Sequence, residues 1–206
     1  MDLGSSNLLG GCKERIRVES SLRIDADRLR AISQTRLDQV SKAASNENLK
    51  TSFVKAKVLE NYLKVGIGDG HTIVCDEDPS MGGTNLGPRP LQYFLAGLAF
   101  CELTIYTQYA AVMRIPLQRL ELDVRGLFDI RGKYGVENKF PGFQEIQLEL
   151  RIDSEENKER IMKLVDTVHE RCPAYNTLKG NVTFKGKVIH NGVQINTFEM
   201  APTILA

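Results

Sequence analysis

The chain is poor in the residues that build disulfide scaffolds, metal sites and membrane spans. It has 4 cysteines, 3 histidines and no tryptophan in 206 residues, and no C-x-x-C pair occurs. Four cysteines exclude a disulfide framework, so we expect reduced thiols. The scattered histidines argue against a bound metal, and we expect no cofactor. Because no apolar run approaches the roughly 18 residues of a membrane span and no signal peptide is evident, we expect a cytoplasmic protein without a membrane partner.

The charge balance excludes a further class of partner. Lysine and arginine number 27 against 26 acidic residues, so no overall field would attract nucleic acid or an anionic lipid surface. We therefore predict no nucleic-acid partner. Hydrophobic residues make up 42% of the chain, which is enough for a substantial core in one domain.

The apolar pattern predicts an N-terminal extension followed by one α+β domain. Residues 1–50 form the extension, in which an amphipathic helix spans about 25–44. Residues 51–206 form the domain, in which helices and strands are segregated along the chain. The predicted elements are a strand meander over 53–76, an apolar helix over 90–114, strands around 120–130 and 146–152, a helix capped by Ser154, and strands around 182–188 and 194–198. This order predicts antiparallel sheets rather than a doubly wound parallel sheet.

Two cysteines lie in different helical contexts. Cys101 ends an apolar run from Pro90 that is hydrophobic almost all round a helix, so its thiol should lie in a packed interior. Cys172 ends a charged helix that Pro173 cannot continue. The pair suggests redox chemistry, although a free cysteine on an apolar helix is more often a small hydrophobic residue. Because burial disfavours a thiolate, a reactive Cys101 needs a cation or donors from another segment or chain.

Other candidate residues have plainer explanations. His169 is spaced to act as a base toward Cys172, but a solvated histidine is the commoner case. The dipole at a helix C-terminus disfavours a Cys172 thiolate, which suits a resolving thiol better than a first nucleophile. Cys12 and Cys75 are expected to be inert. The glycine-rich loop 82–87 precedes a helix as phosphate loops do, but it lacks their spacing, so turn geometry explains it better.

Several of these residues together resemble the OsmC/Ohr family of thiol-dependent hydroperoxide reductases. The shared features are Gly83-Thr84-Asn85, a proline 11 residues before Cys101, an apolar helix ending Ala99-Phe100-Cys101, and Cys172-Pro173 followed by a strand. The resemblance covers roughly residues 53–198. The first 50 residues fall outside the common core.

The resemblance implies an OsmC-like intertwined homodimer, in which antiparallel sheets wrap central helices and active sites form at the subunit interface. Cys101 would be the peroxidatic thiolate toward organic hydroperoxides, Cys172 would resolve its sulfenic acid, and an external dithiol would complete the cycle. Peroxidases of the family usually carry a glutamate where this chain has Leu91 or Gln92. Arg89 is the cation nearest in sequence that could support the thiolate.

The missing glutamate favours a rival function within the same fold. The rival protein binds an apolar small molecule, or acts on another electrophile, without efficient peroxidase turnover. A cysteine hydrolase that uses Cys172 and His169 is a weaker alternative, because the sequence offers no orienting carboxylate or oxyanion donor beside that pair.

Overall fold

The computed structural model describes residues 22–180, 184–190 and 193–200. Along these residues lie the helices α1 (Ala26–Lys42), α2 (Pro90–Val112), α3 (Ile130–Lys133), α4 (Lys158–Arg171) and α5 (Pro173–Leu178). The strands are β1 (Lys55–Glu60), β2 (Leu63–Gly68), β3 (His71–Cys75), β4 (Arg119–Phe128), β5 (Phe143–Asp153), β6 (Phe184–His190) and β7 (Val193–Met200). None of the described helices combines the length and apolarity needed to cross a membrane.

The strands form three antiparallel sheets, which confirms the α+β prediction. The first sheet has the order β1-β2-β3, and the pairs β4-β5 and β6-β7 form the other two. The β2-β3 turn places Asp69 and Gly70 at positive φ angles of 48° and 79°. A two-residue hairpin with this backbone matches the twist of its strands and favours the Asp-Gly pair.

Helix α2 is the centre of the packed core. It begins at Pro90, whose ring suits the first turn, and it contacts α1, α4, α5 and β4. The apolar stripe of α4 faces it through Leu164 and Val168, both fully buried. The buried hydrophobic cluster consists of Tyr106, Ala110, Ile115, Leu164, Val168 and Cys172. The predicted bounds of the central helix are confirmed to within two residues.

Local capping differs from the sequence prediction after β5. Asn157, not Ser154, caps α4 by accepting the Arg160 backbone N–H at 2.9 Å. Ser154 instead donates its hydroxyl to the Pro116 carbonyl at 2.6 Å, which fastens the strand end to the loop after α2. Ile130 was expected to continue a strand, but Asp129 caps a short helix that begins there. Cys12 and Val182 lie outside the described residues.

Large apolar surfaces stay uncovered in the single chain. Helix α1 has no buried residue, although its amphipathic pattern was predicted correctly. Strand β1 is exposed along its whole length, and Phe100 on α2 is 68% exposed. Large exposed apolar side chains such as Phe100 are typical of an interaction surface when they cluster.

Candidate active site

The fold brings Cys101 and Cys172 together. Cys101 lies in the middle of α2 and Cys172 at the junction of α4 and α5, and their Sγ atoms are 3.5 Å apart. A disulfide bond is about 2.05 Å long, so the two sulfurs need to approach by only about 1.5 Å to form one. The packing of α4 and α5 on α2 produces this pairing, because Cys172 belongs to the buried cluster and Cys101 packs against it.

The two thiols differ in their access to solvent. Cys101 is partly exposed, whereas Cys172 is fully buried. Burial and the neighbouring Cys101 thiol raise the pKa of Cys172, while the backbone N–H groups of Tyr175 and Ala174 oppose this shift. Cys101 is therefore the more accessible of the two thiols, and burial favours the protonated form of Cys172.

Cys172 is held by the geometry of a helix junction. It ends α4 and also precedes α5, whose first residue is Pro173. The junction is bridged by Asn176, whose side-chain amide donates to the carbonyls of His169, Glu170 and Cys172 at 3.0, 3.3 and 2.8 Å. The sequence predicts Cys172 only at a helix C-terminus. The second helix was missed because its six residues are too few to give a periodic pattern.

The structure gives His169 a packing role. Its ring stacks on Tyr175 at a centroid distance of 4.6 Å, and burial lowers the pKa of His169. Along the described chain, no hydrogen bond joins His169 to Cys172, whose recorded side-chain partner is Cys101. These contacts do not support a hydrolase that uses this pair.

Arg89 and the positions expected for a family glutamate lie at the other end of α2. Arg89 directly precedes the helix, about 18 Å along the axis from Cys101. Its backbone N–H donates to Gln92 Oε1 at 2.9 Å, so Gln92 helps to cap the helix. Leu91 is exposed. Within one chain, the structure does not bring Arg89 to the thiol pair, and its role stays a prediction.

The glycine-rich loop is organised around the carboxylate of Asp76. This buried side chain accepts the backbone N–H groups of Glu77, Thr84 and Leu86, and the Thr84 hydroxyl at 2.6 Å. These donors hold the pKa of Asp76 well below its usual range. A Cβ on Gly83 would stand 2.1 Å from the Glu77 carbonyl oxygen, so the loop requires glycine there. Because the Asp76 carboxylate already accepts these backbone N–H and hydroxyl donors, they are not left to bind a phosphate, and the loop is a structural turn.

Two buried polar residues on the helix that carries Cys101 were not predicted from the sequence. Glu102 is 1% exposed and Tyr106 is 0% exposed, and both project from the core face of α2. Among the described residues, neither Glu102 Oε1 nor the Tyr106 hydroxyl has a hydrogen-bond partner. Burial raises the pKa of both groups. The available signal was a glutamate directly after Cys101 within an otherwise apolar run.

The chain is similar in sequence to a protein family and to known proteins. A family model described as OsmC-like protein matches residues 83–187. A hydroperoxide reductase from Mycoplasma genitalium is 34% identical over 122 residues, which are 58% of this chain and 80% of that protein. A hydroperoxide reductase from Mycoplasma pneumoniae is 32% identical over 127 residues, 62% of this chain and 86% of that protein.

The fold is shared with a solved structure. The crystal structure of an OsmC like protein from Mycoplasma pneumoniae superposes with a TM-score of 0.56 and 30% identity, and the match covers 64% of this chain and 89% of that one. Helix α1 lies before the residues that the family model matches.

Proposed function

This chain belongs to the OsmC-like protein family, and on that premise we propose that it reduces organic hydroperoxides with Cys101 and Cys172. Two relatives of 34% and 32% identity bear the name hydroperoxide reductase, which supports a hydroperoxide-related function. The observation that carries the cysteine mechanism is the 3.5 Å separation of the two Sγ atoms.

The proposed reaction proceeds in two thiol steps. The Cys101 thiolate attacks a peroxide oxygen, an S–O bond forms as the O–O bond breaks, and the alkoxide takes a proton and leaves as an alcohol. Cys172 then attacks the Cys101 sulfenic acid, an S–S bond forms as the S–O bond breaks, and water leaves. An external dithiol reduces the disulfide by exchange and returns both thiols.

The roles of the two thiols follow from their exposure. Cys101 is the partly exposed sulfur and meets the substrate, whereas buried Cys172 is reached only by Cys101. Phe94 lies two turns before Cys101 on the same helix face and is 45% exposed. An exposed apolar side chain on the helix face of Cys101 favours hydroperoxides with an apolar organic group over hydrogen peroxide.

The proposed active unit is a homodimer. The uncovered apolar surfaces of α2 and β1 support it, since one chain leaves Phe100 and Val58 exposed at 68% and 62%. In such a dimer, Arg89 of one chain would support the thiolate of the other. The Arg89 side chain cannot reach the Cys101 of its own chain, about 18 Å along the helix.

The rival function retains one supporting observation. Gln92 is committed to capping α2 and Leu91 carries no charge, so no carboxylate at these positions orients a cation toward a thiolate. A protein of this fold that binds an apolar small molecule or reacts with another electrophile would have the same arrangement without efficient turnover.

Anaerobic titration of the reduced protein tests the proposal. One equivalent of cumene hydroperoxide should remove two thiols and yield a Cys101–Cys172 disulfide by peptide mapping, and hydrogen peroxide should react more slowly. Cys101→Ser should abolish thiol loss, whereas Cys172→Ser should stop at a sulfenic acid that further peroxide over-oxidises. Cys75→Ser is the matched control and should react like the unmodified protein. A bridge that involves Cys75, or no thiol loss, would overturn the mechanism in favour of the rival.

A further inference from the structure

A buried carboxyl group with an unpartnered oxygen directly follows Cys101 on α2. Glu102 follows Cys101 directly and is 1% exposed, and its Oε1 atom has no hydrogen-bond partner among the described residues. An isolated buried carboxylate is strongly disfavoured, so such a group is held neutral. Neutral Glu102 is therefore a stored proton in a part of the core that solvent does not reach.

Tyr106 lies one helical turn after Glu102 and packs in the same buried cluster as the resolving thiol. Glu102 and Tyr106 are four residues apart on α2, so their side chains project from the same face. Tyr106 and Cys172 belong to one buried cluster, and Cys101 packs against it. The titratable groups that act on the Tyr106 hydroxyl are Glu102, Cys172 and Asp166 of α4, and Tyr175 of α5. The Tyr106 hydroxyl, like Glu102, has no partner among the described residues.

The resolving step needs both a proton acceptor and a proton donor. Cys172 must lose its thiol proton to attack, and the hydroxide that leaves the Cys101 sulfenic acid must gain one. Cys172 is 0% exposed, so bulk water does not serve it directly. Burial also raises the pKa of Cys172, which makes spontaneous loss of the proton rarer.

We propose that Glu102 exchanges these protons during the resolving step, with the Tyr106 hydroxyl between the carboxyl group and Cys172. This inference rests on the proposed peroxidase function. Glu102 gives its proton to the departing hydroxide, which leaves as water as the S–O bond breaks. The Cys172 proton returns to the Glu102 carboxylate through Tyr106 as the S–S bond forms. Glu102 ends the step neutral, and the two electrons of the organic hydroperoxide reduction come from the thiols.

Glu102→Gln separates the two chemical steps. The substitution keeps size and polarity but removes the exchangeable carboxyl proton. Alcohol release, which reports attack by Cys101, should change less than about twofold. Loss of the second thiol should slow roughly 100-fold, the usual scale for general acid–base catalysis. Over-oxidised Cys101 should accumulate with excess cumene hydroperoxide. The dependence of the disulfide-formation rate on pH should lose the ionisation that belongs to the Glu102 carboxyl group. Glu155→Gln, at an exposed position before α4, is the matched control.

Two further variants keep the test decisive. Tyr106→Phe removes only the hydroxyl and should slow the second step while leaving alcohol release unchanged. Glu102→Asp retains a carboxyl group on a shorter side chain, so it should slow the second step less than Glu102→Gln does. If Glu102→Gln does not fold, Glu102→Asp is tested in its place. Equal slowing of both steps, or disulfide formation at the original rate in Glu102→Gln and Tyr106→Phe, would overturn the proposal and leave Glu102 a packing residue.

An oxidant other than peroxide distinguishes this inference from the proposed function. Diamide forms the Cys101–Cys172 disulfide by accepting two electrons and two protons from the thiols, and it also requires Cys172 to lose a proton. If the protein ignores cumene hydroperoxide, the proposed function fails. Slower diamide oxidation in Glu102→Gln than in Glu155→Gln would then still support the proton-exchange role, and equal rates would contradict it.

Discussion

The side-chain amide of Asn176 donates to the carbonyl oxygen of Cys172 at 2.8 Å. The same nitrogen lies within hydrogen-bond distance of the His169 and Glu170 carbonyls, at 3.0 and 3.3 Å. The His169 and Glu170 carbonyls belong to the last turn of α4, where helical partners are missing, whereas the Cys172 carbonyl also accepts the Asn176 backbone N–H at 3.1 Å. A single side chain thereby satisfies the end of α4 and fixes the backbone that carries the buried thiol.

Asn176→Ala should destabilise the reduced protein and slow disulfide formation. The loss of hydrogen bonds to partly buried carbonyls should cost about 1–3 kcal/mol of unfolding free energy, measured by urea titration. Asn176→Asp is the sharper variant, because it keeps the size but replaces a donor by a carboxylate that repels the carbonyls. It should therefore be the less stable of the two. Equal stability of Asn176→Asp and the unmodified protein would show that the bridge contributes nothing.

Asp76 should make folding sensitive to acid. Hydrogen-bond donors in the folded loop depress the pKa of Asp76. The ionised Asp76 side chain therefore stabilises the fold fully above the ordinary aspartate pKa of about 3.9. This stabilisation is lost as the pH falls toward the lower pKa that Asp76 has in the folded protein. Asp76→Asn should lower the urea midpoint clearly at pH 7 and flatten the decline of stability below pH 4. Asp69→Asn, in the exposed β2-β3 turn, is the control and should change neither. An unchanged acid limb in Asp76→Asn would contradict this assignment.

Sequence reasoning recovered the elements whose signals are local. Pro90 and the apolar run after it set the start of α2, and the Asp69-Gly70 pair set a hairpin turn. The pairing of Cys101 with Cys172 came from the family resemblance, because 71 residues separate them and periodicity carries no information about which helices pack.

The missed features depend on tertiary partners. Ser154 and Asn157 are both good caps, and the choice between them follows from the contact of Ser154 with the Pro116 carbonyl. Helix α2 is apolar on nearly every side, so its sequence does not show which face the core covers. The burial of Glu102 therefore became visible only when α4, α5 and β4 were packed against that helix.

The protein should be a stable homodimer of about twice its 23.1 kDa chain mass. Sedimentation at micromolar concentration measures this directly. Phe100→Glu places a charge on an exposed apolar position of α2 and should shift the dimer toward monomer or aggregate. Leu49→Glu is the control, since Leu49 is 81% exposed outside the regular elements and should tolerate the charge. A folded monomer in the unmodified protein would remove the interface and the role of a partner's Arg89.

Gln92→Glu should speed the oxidation of Cys101 by cumene hydroperoxide. Glutamate at this third helical position keeps the cap on the Arg89 backbone N–H, so the fold should be unaffected. Its carboxylate would hold the Arg89 side chain in an orientation that supports the thiolate across the dimer. We expect a gain of roughly tenfold, which corresponds to about 1.4 kcal/mol of transition-state stabilisation.

The double variant Arg89→Ala with Gln92→Glu decides the cause of any gain. Without the arginine, the new carboxylate should repel the thiolate and oxidation should be slower than in the unmodified protein. Single-turnover thiol loss measures all three rates, and the difference between the single and double variants gives the coupling of the two residues. Slower oxidation in Gln92→Glu alone would mean that no arginine serves the thiol. The rival binding function would then be favoured, because Cys101 would lie in a peroxidase fold without the charge that makes it a peroxidatic thiolate.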